Sequence, residues 1–309
     1  MALNQKIIAI VGPTASGKSK LALELVLFIS KKIKTINGAE IISADSRQIY
    51  KNLPVGTNQP TAQELKLVPH HLIGFLKVNQ KLNVTQYQKK AFKIIQKLWK
   101  QNKVPIICGG TGFYLRAVID GIIFPSVPPN QKLRKTLEKK SKEELLQILQ
   151  KEGKQFLKNI DPNNKKRLIR AIEIIKKLKK IPPLKSHPLT SKILIIGIKV
   201  PKEKLKAKIK TRTKKMLKQG LLTEGKFLLT QKLSPQKINE LGFIYNITIQ
   251  YLQKQIKTKQ ELEAKINQAT FHYVKRQLTW FKKDQRIIWV SSKNQAQKLV
   301  KNFLSNTKK

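Results

Sequence analysis

Acidic side chains are scarce in this 309-residue chain: Asp and Glu number 17 against 64 Lys and Arg, a formal net charge of +47. That balance favours a polyanionic partner, whether nucleic acid, phosphates or an anionic surface. The excess runs along the whole chain and is mostly lysine, so a lysine-rich solvated surface is the competing explanation. Cys108 is the single cysteine, which excludes an intrachain disulfide and a cysteine metal cluster. The histidines, His70, His71, His187 and His272, show no metal-ligand spacing. No apolar run approaches the roughly 18 residues of a membrane span, so no membrane partner is expected. Met1–Lys6 lacks the basic flank that precedes a secretory signal core. A reducing, cytoplasmic setting and a monomer are therefore expected.

What is present reads as alternating strands and helices. Apolar residues make up 40% of the chain, enough for a real core, and the length suits two domains or one with a large insertion. Lys6–Val11 (KIIAIV) is a short, nearly continuous apolar run, the pattern of a buried parallel strand. Glu40–Ser43 and Val104–Cys108 repeat it, and Gln86–Gln101 places Tyr87, Ala91, Ile94, Ile95, Leu98 and Trp99 on one helical face. Ile193–Val200 and Ile287–Val290 are further strands; long helices follow Pro201, stopping near Gly220, and span about Glu261 to Phe281. Residues from about Gln131 to Lys180 are helical in composition and bounded by prolines. The expected fold is α/β, a P-loop NTPase-like parallel sheet with flanking helices and a helical insertion domain. The expected division is residues 1–125 for the first part of the core, 126–190 for an RNA-contacting insertion, and 191–309 for completion of the core and the C-terminal helices.

Gly12-Pro13-Thr14-Ala15-Ser16-Gly17-Lys18-Ser19 spells G-x-x-x-x-G-K-S between a strand and a helix, the context that a phosphate loop requires. Its amides and the helix N-terminus suit an anion; Lys18 can reach phosphate oxygens, and the Ser19 hydroxyl can ligate Mg²⁺. The loop identifies a phosphate-bearing ligand without saying whether it is a nucleoside triphosphate, and a nucleotide- or ATP-binding kinase remains an alternative, as does a non-catalytic RNA-binding protein. The strand ending Ile106-Ile107-Cys108-Gly109-Gly110 carries no carboxylate to hold Mg²⁺ through water, which counts against ATP hydrolysis. Asp45, at the end of the second strand, lies where parallel sheets bind ligands; it suits a general base, or else a turn or cap.

Taken together, GPTASGKS (Gly12–Ser19), ISADSRQIY (Ile42–Tyr50), VGTNQP (Val55–Pro60), VPHHLI (Val68–Ile73), GGTGFYL (Gly109–Leu115), NNKKRLIRAIE (Asn163–Glu173) and VKRQLTWF (Val274–Phe281) resemble the tRNA dimethylallyltransferases, also called tRNA isopentenyltransferases. The resemblance implies transfer of a dimethylallyl group from dimethylallyl diphosphate to N6 of the adenine 3′ of the anticodon. The acceptors it implies are tRNAs reading codons that begin with U. The diphosphate would lie in the phosphate loop, with Mg²⁺ held through Ser19. By the same resemblance Asp45 is the base that deprotonates the amine, Arg212 contacts the diphosphate, and Thr111 lies close to the transferring group. The anticodon stem-loop of tRNA would meet Asp45, Ser46, Arg47 and Gln48, then Arg134, then Lys166, Arg167, Leu168, Ile169 and Arg170, and finally Lys275, Arg276, Gln277 and Lys282. Near that last stretch Gln268, His272, Lys275, Arg276, Thr279 and Lys282 can share one polar helical face. The chain departs from the family pattern at Gly74, where Asp is usual, and at Ile244 and Phe271, where basic residues are usual.

Overall fold

A computed structural model describes residues 5–153 and 160–305. In chain order the elements begin β1 (Ile7–Val11), α1 (Lys18–Lys32), β2 (Ala39–Ser43), α2 (Pro54–Thr57), α3 (Ala62–Leu67), β3 (His70–His71), α4 (Val84–Lys100), β4 (Val104–Gly109) and α5 (Gly112–Ile119). There follow β5 (Ile122–Ile123), α6 (Gln131–Glu138), α7 (Lys142–Glu152), α8 (Lys165–Leu178) and β6 (Lys185–Ser186). The chain ends with β7 (Ile193–Ile198), α9 (Lys202–Lys218), α10 (Leu221–Thr230), α11 (Pro235–Leu241), α12 (Phe243–Leu252), α13 (Lys259–Phe281), β8 (Ile287–Val290) and α14 (Lys293–Ser305). Two compact units result: Met1–Asp120 with Pro188–Lys309, and Gly121–His187.

The first unit is built on a six-stranded sheet, order β3-β2-β4-β1-β7-β8, with every pairing parallel. Strand side chains alternate between faces, and the apolar runs fill both. Ile8, Ile10, Ile106 and Ile196 pack with Leu25, Ile29 and Val300 of α1 and α14. Ile7, Ala9, Ile107 and Ile195 pack with Tyr87, Ile95, Leu115 and Phe281 of α4, α5 and α13. The pairings Val11↔Gly109 and Ser43↔Cys108 bring the carboxyl ends of β1, β4 and β2 level with one another. The loops after these three strands carry the phosphate loop, Gly110–Thr111 and Asp45. A separate helical cluster joins Ile49, Tyr50 and Leu53 to Leu217, Leu221, Leu241, Tyr245 and Ile266. Within it Glu224 accepts N–H bonds from Val55 (2.6 Å) and Gly56 (2.8 Å) and the Tyr245 hydroxyl (2.9 Å).

The second unit packs Leu137, Leu145 and Leu149 of α6 and α7 against Leu168, Ile172 and Ile175 of α8. It is not wholly helical, because β5 and β6 form an antiparallel ribbon pairing Ile122 with Ser186; two-residue strands leave no alternation to read in the sequence. Residues 154–159, inside the stretch expected to be helical, lie outside the described residues. Leu168 and Ile169 are corrections to the expected RNA-contacting run: both are buried, on the apolar stripe that Ile172 and Ile175 continue. The neighbouring polar residues form an ion network instead. Glu173, its side chain 1% exposed, accepts from Arg134 Nη2 (2.6 Å), Arg170 Nη1 (3.2 Å) and the Asn130 N–H (2.9 Å). Burial opposes the Glu173 charge, but bonds from Arg134, Asn130 and Arg170 hold its carboxyl below the usual range. A depressed carboxyl pKa stabilises the fold above the unfolded value, and that contribution is lost as pH falls through the folded one. Glu173→Gln is expected to speed hydrogen exchange of α6 and α8 amides about thirtyfold at neutral pH, roughly 2 kcal/mol after allowance for the partly exposed arginines. Unchanged exchange would show that the network adds nothing to this unit.

Candidate active site

The phosphate loop takes its shape from strand exit, turn and helix start. Gly17 occupies a left-handed conformation (φ 96°) and is the N-cap of α1; no side chain caps the helix and no acidic residue sits in its first turn. Ala15 is also left-handed (φ 64°), a conformation that L-residues hold only where the surroundings impose it. The Ser16 N–H donates to Pro13 O at 3.2 Å, and the Ser16 hydroxyl is buried with no partner among the described residues. The helix start thus presents N–H groups and a partial positive charge to an anion.

Lys18 opens α1, and among the described residues its Nζ makes only a long bond to Pro13 O, at 3.4 Å. Burial lowers its pKa; Cys108 and Asp45 act against that effect and Arg212 adds to it. Burial also pushes the Cys108 thiol up to about 11, so at neutral pH it is a neutral neighbour of Lys18. Arg212 reaches the same region from α9. Its Nε is buried with no acceptor among the described residues, and burial lowers its pKa while Asp45 opposes. Two partly desolvated cations therefore share one carboxylate, an arrangement that a multiply charged anion would relieve. Because Lys18 loses its proton at lower pH than an ordinary lysine, pyrophosphate affinity should weaken as pH rises through that lowered pKa. In Lys18→Arg, which stays charged, the weakening should disappear; titration calorimetry of both proteins from about pH 7 to about pH 10 would read the difference. Parallel profiles would remove Lys18 from the anion site.

Asp45 follows Ala44, whose backbone stitches two strand ends together. The Ala44 N–H donates to Cys108 O at 2.8 Å, and Ala44 O accepts the Thr111 N–H at 3.1 Å. A Cβ on Gly109 would lie 2.2 Å from Ala44 O, so glycine is the residue that permits this approach. Asp45 is half-buried; its Oδ1 accepts the Arg47 N–H at 2.9 Å, a turn bond that leaves Oδ2 without a hydrogen bond among the described residues. It therefore serves the turn with one oxygen and leaves the other open. Thr111 sits at the N-cap of α5 but makes no capping bond. Its hydroxyl instead accepts the Ser46 N–H (3.0 Å) and donates to Ser46 Oγ (3.3 Å), one residue from Asp45. The Tyr273 hydroxyl lies against Thr111, and burial, with Asp45 nearby, pushes it up to about 12. No motif in the sequence points to Tyr273; its i−4 spacing from Gln277 is the one signal that places it here.

Neither strand flanking β1 ends in a carboxylate: β4 runs out through Cys108-Gly109 and β7 through Gly197-Ile198. Other expected contacts fall into three groups. Lys166, Arg167, Lys275, Arg276 and Lys282 are exposed, and the polar face of α13 containing Gln268, His272 and Thr279 is exposed with them. Arg134 and Arg170 are engaged by Glu173, each with about a third of its side chain exposed (32% and 33%). Arg47 donates to Glu240 O, and the Gln48 amide is occupied at both ends, accepting from Ser43 Oγ (2.9 Å) and donating to Asn58 O (2.6 Å). Gln48 thus braces its loop. Gln277 is a further correction: it is 5% exposed and points into the site rather than toward solvent.

The family model for IPP transferase matches residues 48–284. The chain is 36% identical to the tRNA dimethylallyltransferase of Halothermothrix orenii, over 93% of this chain and 87% of that one. It is 38% identical to tRNA dimethylallyltransferase 1 of Azobacteroides pseudotrichonymphae, over 91% and 90%. Among solved structures it resembles the full-length tRNA isopentenylpyrophosphate transferase of Bacillus halodurans, with TM-score 0.71, 29% identity and 97% coverage of both chains. A eukaryotic dimethylallyltransferase described as acting on tRNA shares the fold, with TM-score 0.75, 23% identity, and coverage of 94% of this chain and 75% of that one.

Proposed function

The chain belongs to the IPP transferase family and is a tRNA dimethylallyltransferase, and on that premise we propose how its residues divide the reaction. The acceptor is the exocyclic N6 of the adenine 3′ of the anticodon, in tRNAs reading codons that begin with U. The donor is dimethylallyl diphosphate, seated on the phosphate loop. N6 is a poor nucleophile because its lone pair is delocalised into the ring. As N6 attacks the allylic C1, Asp45 Oδ2 takes an N6 proton, the C1–O bond breaks, and the diphosphate leaves with the electron pair. Lys18, Arg212 and the amides at the start of α1 neutralise the charge that grows on the leaving group. Thr111, tied to Ser46, fixes the loop that carries Asp45 beside the reacting carbon.

The single observation that carries this reading is the charge arrangement: Lys18 and Arg212, both half-buried and the Arg212 Nε wholly so, have no ion-pair partner among the described residues, and Asp45 is the carboxylate facing both. The donor set also fits Mg²⁺ of a particular kind. Ser19 is exposed in the first turn of α1, and no cluster of three or more His, Cys, Asp or Glu occurs among the described residues. One hydroxyl suits a magnesium ion that takes most of its ligands from phosphate oxygens and water. When bound, Mg²⁺ would supply charge neutralisation on the diphosphate through Ser19.

The target base cannot react while stacked, so it must be extruded from the anticodon loop at a cost of a few kcal/mol. Lys166, Arg167, Lys275, Arg276 and Lys282 are exposed cations suited to the RNA backbone. Among the described residues no helix is long and apolar enough to cross a membrane. The test is a two-substrate assay. Incubation with Mg²⁺, dimethylallyl diphosphate and a tRNA reading U-initial codons is expected to give a prenylated adenosine, identified by nucleoside mass. Phosphorylation of a nucleoside from ATP with no prenylated RNA would overturn the assignment.

A further inference from the structure

Gln277 has an occupation that neither the charge pattern nor the motif it sits in suggests. Its Oε1 accepts the Thr14 N–H at 2.8 Å, and its Nε2 donates to Gly110 O at 2.9 Å. One side-chain amide therefore bridges the phosphate loop and the loop that leads into Thr111. The bond to Gly110 is buried and the bond to Thr14 partly so, Gln277 being 5% exposed, and the fit is close: a Cβ on Gly110 would lie 2.3 Å from Gln277 Nε2. From Gly110 the connection continues through Thr111 to Ser46 and so to the Asp45 loop. The Thr14 N–H, being held by Gln277, is not among the amides free to meet a diphosphate.

The same helix presents an opposite face to solvent. Lys275 and Arg276, the two residues before Gln277, are exposed and make no ion pair among the described residues. They lie over the Phe271 and Tyr273 rings, at 5.2 Å and 5.7 Å, and Tyr273 itself abuts Thr111. Gln277 lies on the same 23-residue helix as these cations, so a partner that fixes the outer face restricts where the backbone bearing the Gln277 amide can sit.

We propose that Gln277 is the positioning residue that couples RNA docking on the outer face of α13 to diphosphate affinity at the phosphate loop. The proposal rests on the transferase reading above. RNA phosphates held by Lys275 and Arg276 restrict α13 to the arrangement in which Gln277 grips both loops, and the loops are then set for the anion before it arrives. Thermodynamic linkage makes the effect reciprocal, so pyrophosphate must tighten RNA binding by the same factor.

The experiment measures inorganic pyrophosphate binding with Mg²⁺ by titration calorimetry, with and without saturating anticodon stem-loop RNA, and RNA binding alone. In the unaltered protein RNA is expected to tighten pyrophosphate about tenfold. Gln277→Met fills nearly the same volume and removes both bonds. It should weaken pyrophosphate alone about tenfold, leave RNA alone within about twofold, and bring the coupling factor to near one. Gly110→Ala, which displaces the amide from the other side, should give the same loss of coupling. A side chain that served only stability would lower the melting temperature and leave the coupling factor unchanged. Full coupling in Gln277→Met, or unaltered pyrophosphate affinity, overturns the proposal. Absence of coupling in the unaltered protein overturns it and leaves the transferase reading standing, whereas failure to bind RNA at all overturns both.

Discussion

Asp45→Asn is expected to slow prenyl transfer about a thousandfold, because a positioned general base is worth roughly 10²–10⁴ in rate. The amide is isosteric, and its Oδ1 can still accept the Arg47 N–H that Asp45 accepts at 2.9 Å, so the turn survives. What is lost is the lone pair on the oxygen that no hydrogen bond occupies. Three measurements separate this from a general collapse of the site. RNA affinity should stay within a few-fold. Pyrophosphate affinity should hold or tighten, since the substitution removes the negative charge that faces Lys18 and Arg212. The melting temperature should not fall. Turnover at the wild-type rate would show that another group takes the N6 proton, whereas a large loss of pyrophosphate affinity would assign Asp45 to metal or loop structure instead.

The parts of this site that the sequence shows most plainly are those fixed by local backbone demands. A strand, a Gly-x-x-x-x-Gly-Lys-Ser turn and a helix start leave few alternatives, and Asp45 follows from being the acid at a strand end. The sheet is equally plain, because β1, β2 and β4 are buried on both faces and read as continuous apolar runs. Contiguous motifs are less legible, because neighbouring residues on a helix face different ways. Leu168 and Ile169 lie between cations in sequence but on the inner stripe of α8 in space. Gln277 shares the buried stripe of Thr270, Val274 and Phe281, so its 3–4 spacing already marked it as inward. Arg212 came only from the resemblance, since nothing in a run of lysines distinguishes one cation that turns inward. Helices α10 to α12 are not legible in the local sequence because their burial depends on packing against Ile49, Tyr50 and Leu53, far away in sequence.

Arg212→Met should separate catalysis from stability in the opposite direction to most active-site changes. Arg212 has a buried Nε with no acceptor among the described residues, so the folded chain carries the desolvation cost of a guanidinium without a matching ion pair. Removing the charge while keeping the volume is expected to raise the melting temperature by about 2 °C. The same change should cut kcat/KM for dimethylallyl diphosphate by about 10²–10³, the usual worth of one preorganised donor aimed at developing negative charge. A structural arginine would give the reverse pattern, with stability lost and rate retained. Lys18 supplies the internal control. If both cations act on one departing diphosphate, Lys18→Met and Arg212→Met should combine to much less than the product of their separate effects, because the first removal already misplaces the group that the second would stabilise. Fully multiplicative losses would mean that the two side chains serve different steps, and the shared electrostatic site proposed for them would have to be divided.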